Sequence, residues 1–354
     1  MKYTALENNL LSQLAPAIVD VTPGIIVRAY HAGRLICDVN AGHVYPYYDL
    51  ASLTKIVFTT QAMMQAFEEA KWNLETKVQS LLNWYPHGET KILELLNHTS
   101  GLVWWMPFFQ EINSELSMLE RRAQLKEMLK QAPYNAERNK AVYSDAGFMI
   151  LGFLLEEMYQ KPLWDVWSDL KNKFYLGTTL DFHLNNQAPF KKALYAPTEE
   201  CPWRKKLVQG EVHDENTWAL GGVSTHAGLF GSVDDLGWYL LNLRSQLHGI
   251  ARYQIRQKTT QLFVKRSITP SVGDWAIGFM MPTAGQASCG KYMSVESIGH
   301  TGFTGTSLWY DPKMDLGIIV LSNRVLYGRE NKSFVALRPK IHDWLIEGFR
   351  RSGI

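Results

Sequence analysis

The spacing of apolar positions changes twice along this chain. Ile25 to Tyr30 and Arg34 to Val39 are short runs rich in Ile, Val, Leu and Tyr, joined by His31-Ala32-Gly33, which predicts a hairpin with a glycine turn. The chain is therefore expected to open with antiparallel strands. From about Ser52 to Leu247 the spacing becomes helical, as in Ile56-Val57-Thr60-Met63-Met64-Phe67, in Leu119-Leu125-Met128-Leu129 and in Phe148-Leu151-Leu155-Met158. After about Trp275 strands return, at Ser294 to Ile298, Thr304 to Tyr310 and Leu316 to Ser322, with Asp311-Pro312 as a turn between the last two. Ala336 to Arg351 closes the chain as an amphipathic helix. Strands at both ends and helices between them imply an α/β (α+β) fold: one antiparallel sheet built from the two termini, flanked by helices, with a mainly helical region inserted.

Composition narrows the function classes. With 354 residues, 46% apolar and 20% charged, this is a folded protein of one or two domains. The net charge of +2 gives no electrostatic reason to expect nucleic acid or an anionic membrane as partner. The longest apolar stretch, Ala146 to Leu155, is well short of the roughly 18 residues that cross a bilayer. Glu7, Asn8, Asn9, Ser12, Gln13 and Asp20 break up any signal-peptide core in the first 21 residues, so the expected location is cytoplasmic, or periplasmic if a leader has been removed. Cys37, Cys201 and Cys289 lie far apart and without metal-knuckle spacing, which points to reduced structural thiols. Most of the twelve tryptophans fall in the helical middle and are assigned to packing. Trp104 and Trp105, beside Pro107, Phe108 and Phe109 in a non-periodic stretch, are instead a candidate pocket wall.

Ser52-Leu53-Thr54-Lys55 precedes a helical run, so Ser52 and Lys55 should share one face of a first helical turn. A serine alcohol needs a neighbouring base to become a nucleophile. Lys55 serves as that base only with a lowered pKa, which burial and the positive end of a helix both favour. The helix start also offers the Ser52 backbone N–H to a developing oxyanion. Chance alone supplies about one S-x-x-K match in a chain of this composition, and two more occur. Ser168 to Lys171 lies on a charged helix face, and Ser288 to Lys291 lies in a glycine-containing stretch before a strand; neither is retained. Tyr143, in Tyr143-Ser144-Asp145 at a helix start, is a candidate proton relay. His300-Thr301-Gly302 sits on an inferred strand whose glycines allow close approach of a substrate. His213, Asp214 and His226 lack any metal-binding spacing. No metal and no cofactor is expected.

Taken together, S-x-x-K at Ser52, Tyr143-Ser144-Asp145, and His300-Thr301-Gly302 near the end of the chain resemble the class C β-lactamase, penicillin-binding protein, DD-peptidase and esterase superfamily of serine hydrolases. Leu95 to Leu102 resembles its H-T-S-G-L helix end, and His226 to Phe230 with Asp234-Asp235-Leu236 resembles its A-G-L-F and D-D-L segment. The resemblance implies a β-lactamase/transpeptidase-like fold, with residues 1–75 and 265–354 as an α/β domain, 76–264 as a mainly helical domain and the active site at their junction. It further implies that Ser52 is acylated, that Lys55 and Tyr143 share proton transfers, and that the N–H groups of Ser52 and Phe303 form the oxyanion hole. His300, Thr301, Gly302, Asp145, His226, Trp104 and Trp105 would contact or orient substrate.

Departures from the β-lactamase pattern bear on the substrate. His300 stands for a lysine, so the charge that would anchor a β-lactam carboxylate is expected to be lost above about pH 6.5. Asp145 stands for Asn and is expected to raise the pKa of Lys55, shifting the base role to Tyr143. Glu211 to Asn216 and Leu220 to Val223 resemble members acting on cell-wall fragments, although Ser224 and Thr225 replace Ala-Gly, which raises the question of the loop's shape. The expected function is hydrolysis of an ester or amide, in a cell-wall-derived peptide or muropeptide. The alternatives are a β-lactamase and a catalytically silent protein that binds peptides or β-lactams.

Overall fold

The computed structural model describes residues 4–250 and 255–352. Helix α1 (Ala5–Ala17) precedes the first strand, which corrects the expectation that strands open the chain. Thr4 and Glu7 cap it reciprocally, and Leu6, Leu10 and Leu14, four apart, form one buried stripe that is too narrow to stand out among polar neighbours. The hairpin of β1 (Gly24–His31) and β2 (Arg34–Gly42) is as expected. Ala32 and Gly33 turn it with positive φ at both residues (49° and 79°), as a tight two-residue turn requires.

The short strand β3 (Tyr48–Asp49) leads to the Ser52 segment, followed by α2 (Gln61–Glu68), α3 (Ile92–Leu96), α4 (Met118–Leu129), α5 (Asp145–Tyr159) and α6 (Leu163–Phe174). The helical middle then admits short strands the sequence reading did not assign: β4 (Asp181–Phe182), the hairpin of β5 (Glu199–Cys201) and β6 (Lys206–Val208), and, after helix α7 (Glu215–Ala219), β7 (Leu229–Gly231). Two further helices, α8 (Val233–Leu247) and α9 (Gln257–Val264), precede β8 (Ile298–Thr301), β9 (Ser307–Asp311), β10 (Leu316–Ser322) and the final helix α10 (Ser333–Ser352).

The main sheet runs β2-β1-β10-β9-β8, all antiparallel, so the two termini meet at its centre with Ile25 opposite Ser322 and His31 opposite Leu316. Side-chain alternation divides the core. Ile25, Val27, Ile318 and Val320 pack with α1 and α10, whereas Ile26, Ile319 and Leu321 pack toward the helical middle. Helices thus cover both faces, and all seven residues of β10 are buried.

The expected strand at Ser294 to Ile298 begins only at Ile298, because Ser294 is drawn away by Asp311, to which its N–H and hydroxyl donate at 2.6 and 2.9 Å. The next strand starts at Ser307 rather than Thr304, since Gly302 N–H bonds the Thr306 carbonyl at 2.7 Å and closes a tight turn. The three cysteines are free and buried. Among the described residues no helix is long and apolar enough to cross a membrane.

Candidate active site

Ser52 does not sit in an ordinary α-helix. Residues Ala51–Leu53 make a tight 3₁₀ turn, Lys55–Thr60 continue in a wider π-type turn, and α2 begins only at Gln61. Ala51, just before the serine, has φ of 48°, a left-handed conformation held by Asp49, whose carboxylate accepts from Ala51 N–H at 2.8 Å. Ser52 and Lys55 still meet: Nζ lies 3.2 Å from Ser52 Oγ. The amine is fully buried and also donates to Asp145 Oδ1 at 2.7 Å and to the His226 carbonyl at 2.9 Å.

The second group comes from the start of α5, where Ser144 caps the helix by accepting from Gly147 N–H at 3.0 Å. Tyr143 donates its phenolic proton to Ser52 Oγ across 2.8 Å. The geometry agrees with the sequence reading, but the electrostatics reverse it. Burial pushes the Tyr143 phenol well above its ordinary pKa, and the Asp145 charge pushes it further. Burial pulls Lys55 below its ordinary value, with Asp145 opposing but not overcoming it. The direction of these shifts runs against the expectation from Asp145: the Lys55 amine is drawn toward its neutral form and the Tyr143 phenol holds its proton. Behind the pair, His98 Nδ1 accepts from Ser144 N–H at 3.1 Å, and burial keeps that ring neutral.

The third side is the turn after β8. His300 is buried and its Nδ1–H donates to the Thr301 carbonyl at 2.8 Å, which leaves Nε2 as an acceptor without a partner among the described residues. Burial first, and then Lys55, hold its pKa down to about 3. The expectation that His300 loses a positive charge near pH 6.5 is thus corrected: it is neutral throughout the usual working range. Gly302 is required by contact, since a Cβ there would lie 2.0 Å from Thr306 Oγ1 and 2.8 Å from the Leu50 carbonyl, just before the serine segment. Phe303 is 45% exposed, and its backbone N–H has no acceptor among the described residues.

One sequence expectation is revised by position. The His226 ring is 1% exposed, with Nδ1 against Ser224 Oγ at 2.8 Å and Nε2 against Asp214 at 2.9 Å, so it lies behind Lys55 rather than facing a substrate. Asp145 pairs with Lys55 Nζ at 2.7 Å, which makes it that lysine's counter-ion. The Ser224-Thr225 pair fits its loop with ordinary backbone: Thr225 donates its hydroxyl to the Phe148 carbonyl at 2.6 Å, and the positive φ values fall instead on Gly221, Gly222 and Gly228. His213, Asp214 and His226 do not converge on one point. His213 bonds Glu199 at 2.7 Å, while Asp214 caps α7 and is held far below the ordinary carboxylate pKa by His226, although burial opposes this.

Trp104 does lie beside the site, because its carbonyl accepts from Asp145 N–H at 2.9 Å. Trp105 neighbours it at 6.0 Å between ring centroids, and the aromatic row continues through Phe109, Trp203 and Trp218. Phe109 belongs to the stretch the sequence singled out, whereas Trp203 and Trp218, which the sequence reading missed, come from separate segments. Asn216 fastens them by donating to the Met106 carbonyl at 2.8 Å and accepting from Phe109 N–H at 2.9 Å. It also missed Arg324 and Arg338, which bond the carbonyls of Phe303 and Gly302.

A family model described as Beta-lactamase matches residues 12–337 of this chain. The chain belongs to the Beta-lactamase family. It is 32% identical over 348 residues to an N-acetylmuramyl-L-alanine amidase of Bacillus subtilis, covering 85% of this chain and 77% of that protein. It is 29% identical over 303 residues to a putative D-alanyl-D-alanine carboxypeptidase of Escherichia coli, covering 78% and 69%. Among solved structures, a D-amino acid amidase from Ochrobactrum anthropi superposes with a TM-score of 0.72 at 14% identity over 99% of this chain and 100% of the other. EstCE1, a hydrolase with promiscuous acyltransferase activity, gives the same score at 19% identity over 96% and 98%. This member of the Beta-lactamase family is thus a serine hydrolase with the β-lactamase/transpeptidase-like fold.

Within this family member the two rival S-x-x-K matches stand apart from the site. Ser168 and Lys171 lie on α6, where the lysine pairs with Asp181 at 2.6 Å. Ser288 and Lys291 line a separate cavity of about 1240 Å³ that contains none of the site residues above. Glu199, Cys201 and Glu215 bring their ligand atoms within 4.8 Å of one another. Arg329 bonds both carboxylates at 2.7 Å, so their charge is already met.

Proposed function

We propose that this protein forms an acyl-enzyme on Ser52 and cleaves an amide or ester bond in a cell-wall-derived peptide or muropeptide. The observation that carries this reading is one oxygen, Ser52 Oγ, within 2.8 Å of a phenol and 3.2 Å of a buried amine. Lys55 accepts the Ser52 proton as Oγ attacks the substrate carbonyl, and Asp145 balances the charge formed on Nζ. The N–H groups of Ser52 and Phe303 receive the oxyanion. Tyr143, kept protonated, gives its proton to the leaving nitrogen or oxygen and recovers it from Lys55. Water then releases the acyl group by the same steps in reverse. The site lies where residues 1–75 and 265–354 meet residues 76–264.

The substrate class is supported by the names of the relatives and by the aromatic row. Flat rings at Trp104, Trp105, Phe109 and Trp203 suit the apolar face of a sugar attached to the scissile amide. A neutral His300 weighs against β-lactamase activity, which needs an anchor for a carboxylate. Hydrolysis of N-acetylmuramyl-L-alanine is expected with a kcat/KM at least about a hundredfold above that for nitrocefin, a gap of about 2.7 kcal/mol in barrier. The reverse order would make the β-lactam the better substrate and overturn the assignment. Labelling by a fluorophosphonate that is lost in Ser52→Ala is expected for the serine nucleophile, and turnover of p-nitrophenyl butyrate that disappears in Ser52→Ala excludes a silent binding protein.

A further inference from the structure

Behind the turn that carries Phe303, two arginines are buried without an acid. Arg324, 5% exposed, donates from Nε to the Phe303 carbonyl and from Nη1 to the Asn331 carbonyl, each at 3.0 Å. Arg338, 6% exposed on α10, donates from Nη2 to the Gly302 carbonyl at 3.2 Å. Among the described residues no carboxylate pairs with either, and burial lowers the pKa of both, with Arg324 adding to the effect on Arg338 and holding it at about 9. The remaining buried arginine among the described residues, Arg122, is matched by Glu156. Two unmatched guanidiniums side by side are costly, so their position invites a reason.

The reason lies in the peptide plane they hold. The Gly302 carbonyl and the Phe303 N–H are opposite ends of one rigid peptide unit. A cation on that oxygen fixes the rotation of the plane and polarises its N–H. Arg324 pins the next carbonyl along, so the peptide units on both sides of Phe303 are held. The Phe303 ring itself is 45% exposed; it stacks on the His213 ring with 5.5 Å between centroids, and the Arg324 guanidinium lies over it, 4.9 Å from the ring centroid.

We propose that Arg338 and Arg324 are positioning residues that clamp the Gly302 and Phe303 carbonyls so that the Phe303 N–H stays aimed at the substrate carbonyl oxygen. The negative charge that develops on that oxygen is the counter-charge the two guanidiniums lack at rest, so the pair favours the transition state over the bound substrate. Neither side chain touches the substrate. This inference rests on the reading of the Phe303 N–H as an oxyanion donor.

The test is steady-state hydrolysis of p-nitrophenyl butyrate by the full chain, with melting temperature recorded for each variant. Losing a direct oxyanion donor costs about 10²–10³ in kcat, and an indirect clamp should cost less. Arg338→Met is expected to lower kcat about ten- to a hundredfold with KM within about threefold, and Arg338→Lys, which keeps the charge, to fall between it and the wild type. A folded Arg338→Met with wild-type kcat, or one whose loss lies in KM alone, overturns the clamp. Should Arg338→Met not fold, Arg324→Met reads the other half, with the same expected split and the same overturning results. Turnover that survives Ser52→Ala would instead remove the underlying serine reading.

Discussion

The two sides of the candidate site handle charge in opposite ways. On the side of α5 the buried charge has its opposite in place, because the Lys55 amine faces Asp145 at 2.7 Å. On the side of β8 and α10, among the described residues, there are buried groups without a complement: His300 is neutral with one nitrogen unpartnered, and Arg324 and Arg338 pair with no acid. The difference matches the two tasks. Groups that pass protons must be stable in both protonation states, which needs a counter-ion close by. A surface that receives a new negative charge does better when its positive charge is uncompensated beforehand.

The comparison breaks most directly at the serine. Ser52→Ala is expected to reduce p-nitrophenyl butyrate hydrolysis by about 10³-fold or more, and residual turnover near the wild-type rate would place the chemistry elsewhere. On the matched side, Asp145→Asn removes the charge that raises the Lys55 pKa, so the amine becomes free of its proton at lower pH. The acid limb of kcat/KM should move down by about one pH unit or more. A limb that stays in place would mean that Lys55 is not the group titrating.

On the other side, His300 is already neutral across pH 5.5 to 8, so His300→Gln should change the level of activity without changing the shape of the profile there. A profile that flattens on substitution would restore a charged His300. The same burial has a stability consequence. His300 and His342 have pKa values held down to about 3, and His183 to about 4, in each case chiefly by desolvation. The unfolded chain takes up these protons near pH 6.5, so stability should be fully present above that value and fall as pH drops toward about 3. His342→Leu should lessen that slope in melting curves taken from pH 7 to 4; an unchanged slope would count against a buried neutral His342. The smallest effect is expected at the rival motifs, where Ser168→Ala and Ser288→Ala should leave kcat/KM within about twofold, and a large loss in either would reopen the choice of serine.

Much of this could be read from the chain alone. Period-two and helical spacing located the hairpin of β1 and β2, the helical middle and the strands near the C-terminus, because side-chain alternation is a local property that survives in sequence. Ser52 and Lys55 were legible because two residues three positions apart in one turn must lie close together. Tyr143 and His300 were singled out from their places at a helix start and on a glycine-flanked strand and took their roles from the resemblance; their convergence with Ser52 is a matter of chain crossing that no local pattern encodes. Helix α1 was missed because its buried stripe is three leucines wide, and Arg324 and Arg338 because an arginine in a strand end or an amphipathic helix ordinarily reads as surface.

The residue types themselves thus determined that a serine, a lysine and a phenol were available and that a sheet would join the two ends of the chain. Which way the Lys55 and Tyr143 pKa values shift, and that His300 is held neutral, was decided only by tertiary structure. Protonation depends on how much water is excluded and on which charges lie within a few ångströms, and both are set by segments far apart in the chain: Asp145 reaching Lys55 across 90 positions, and the packing that seals His300.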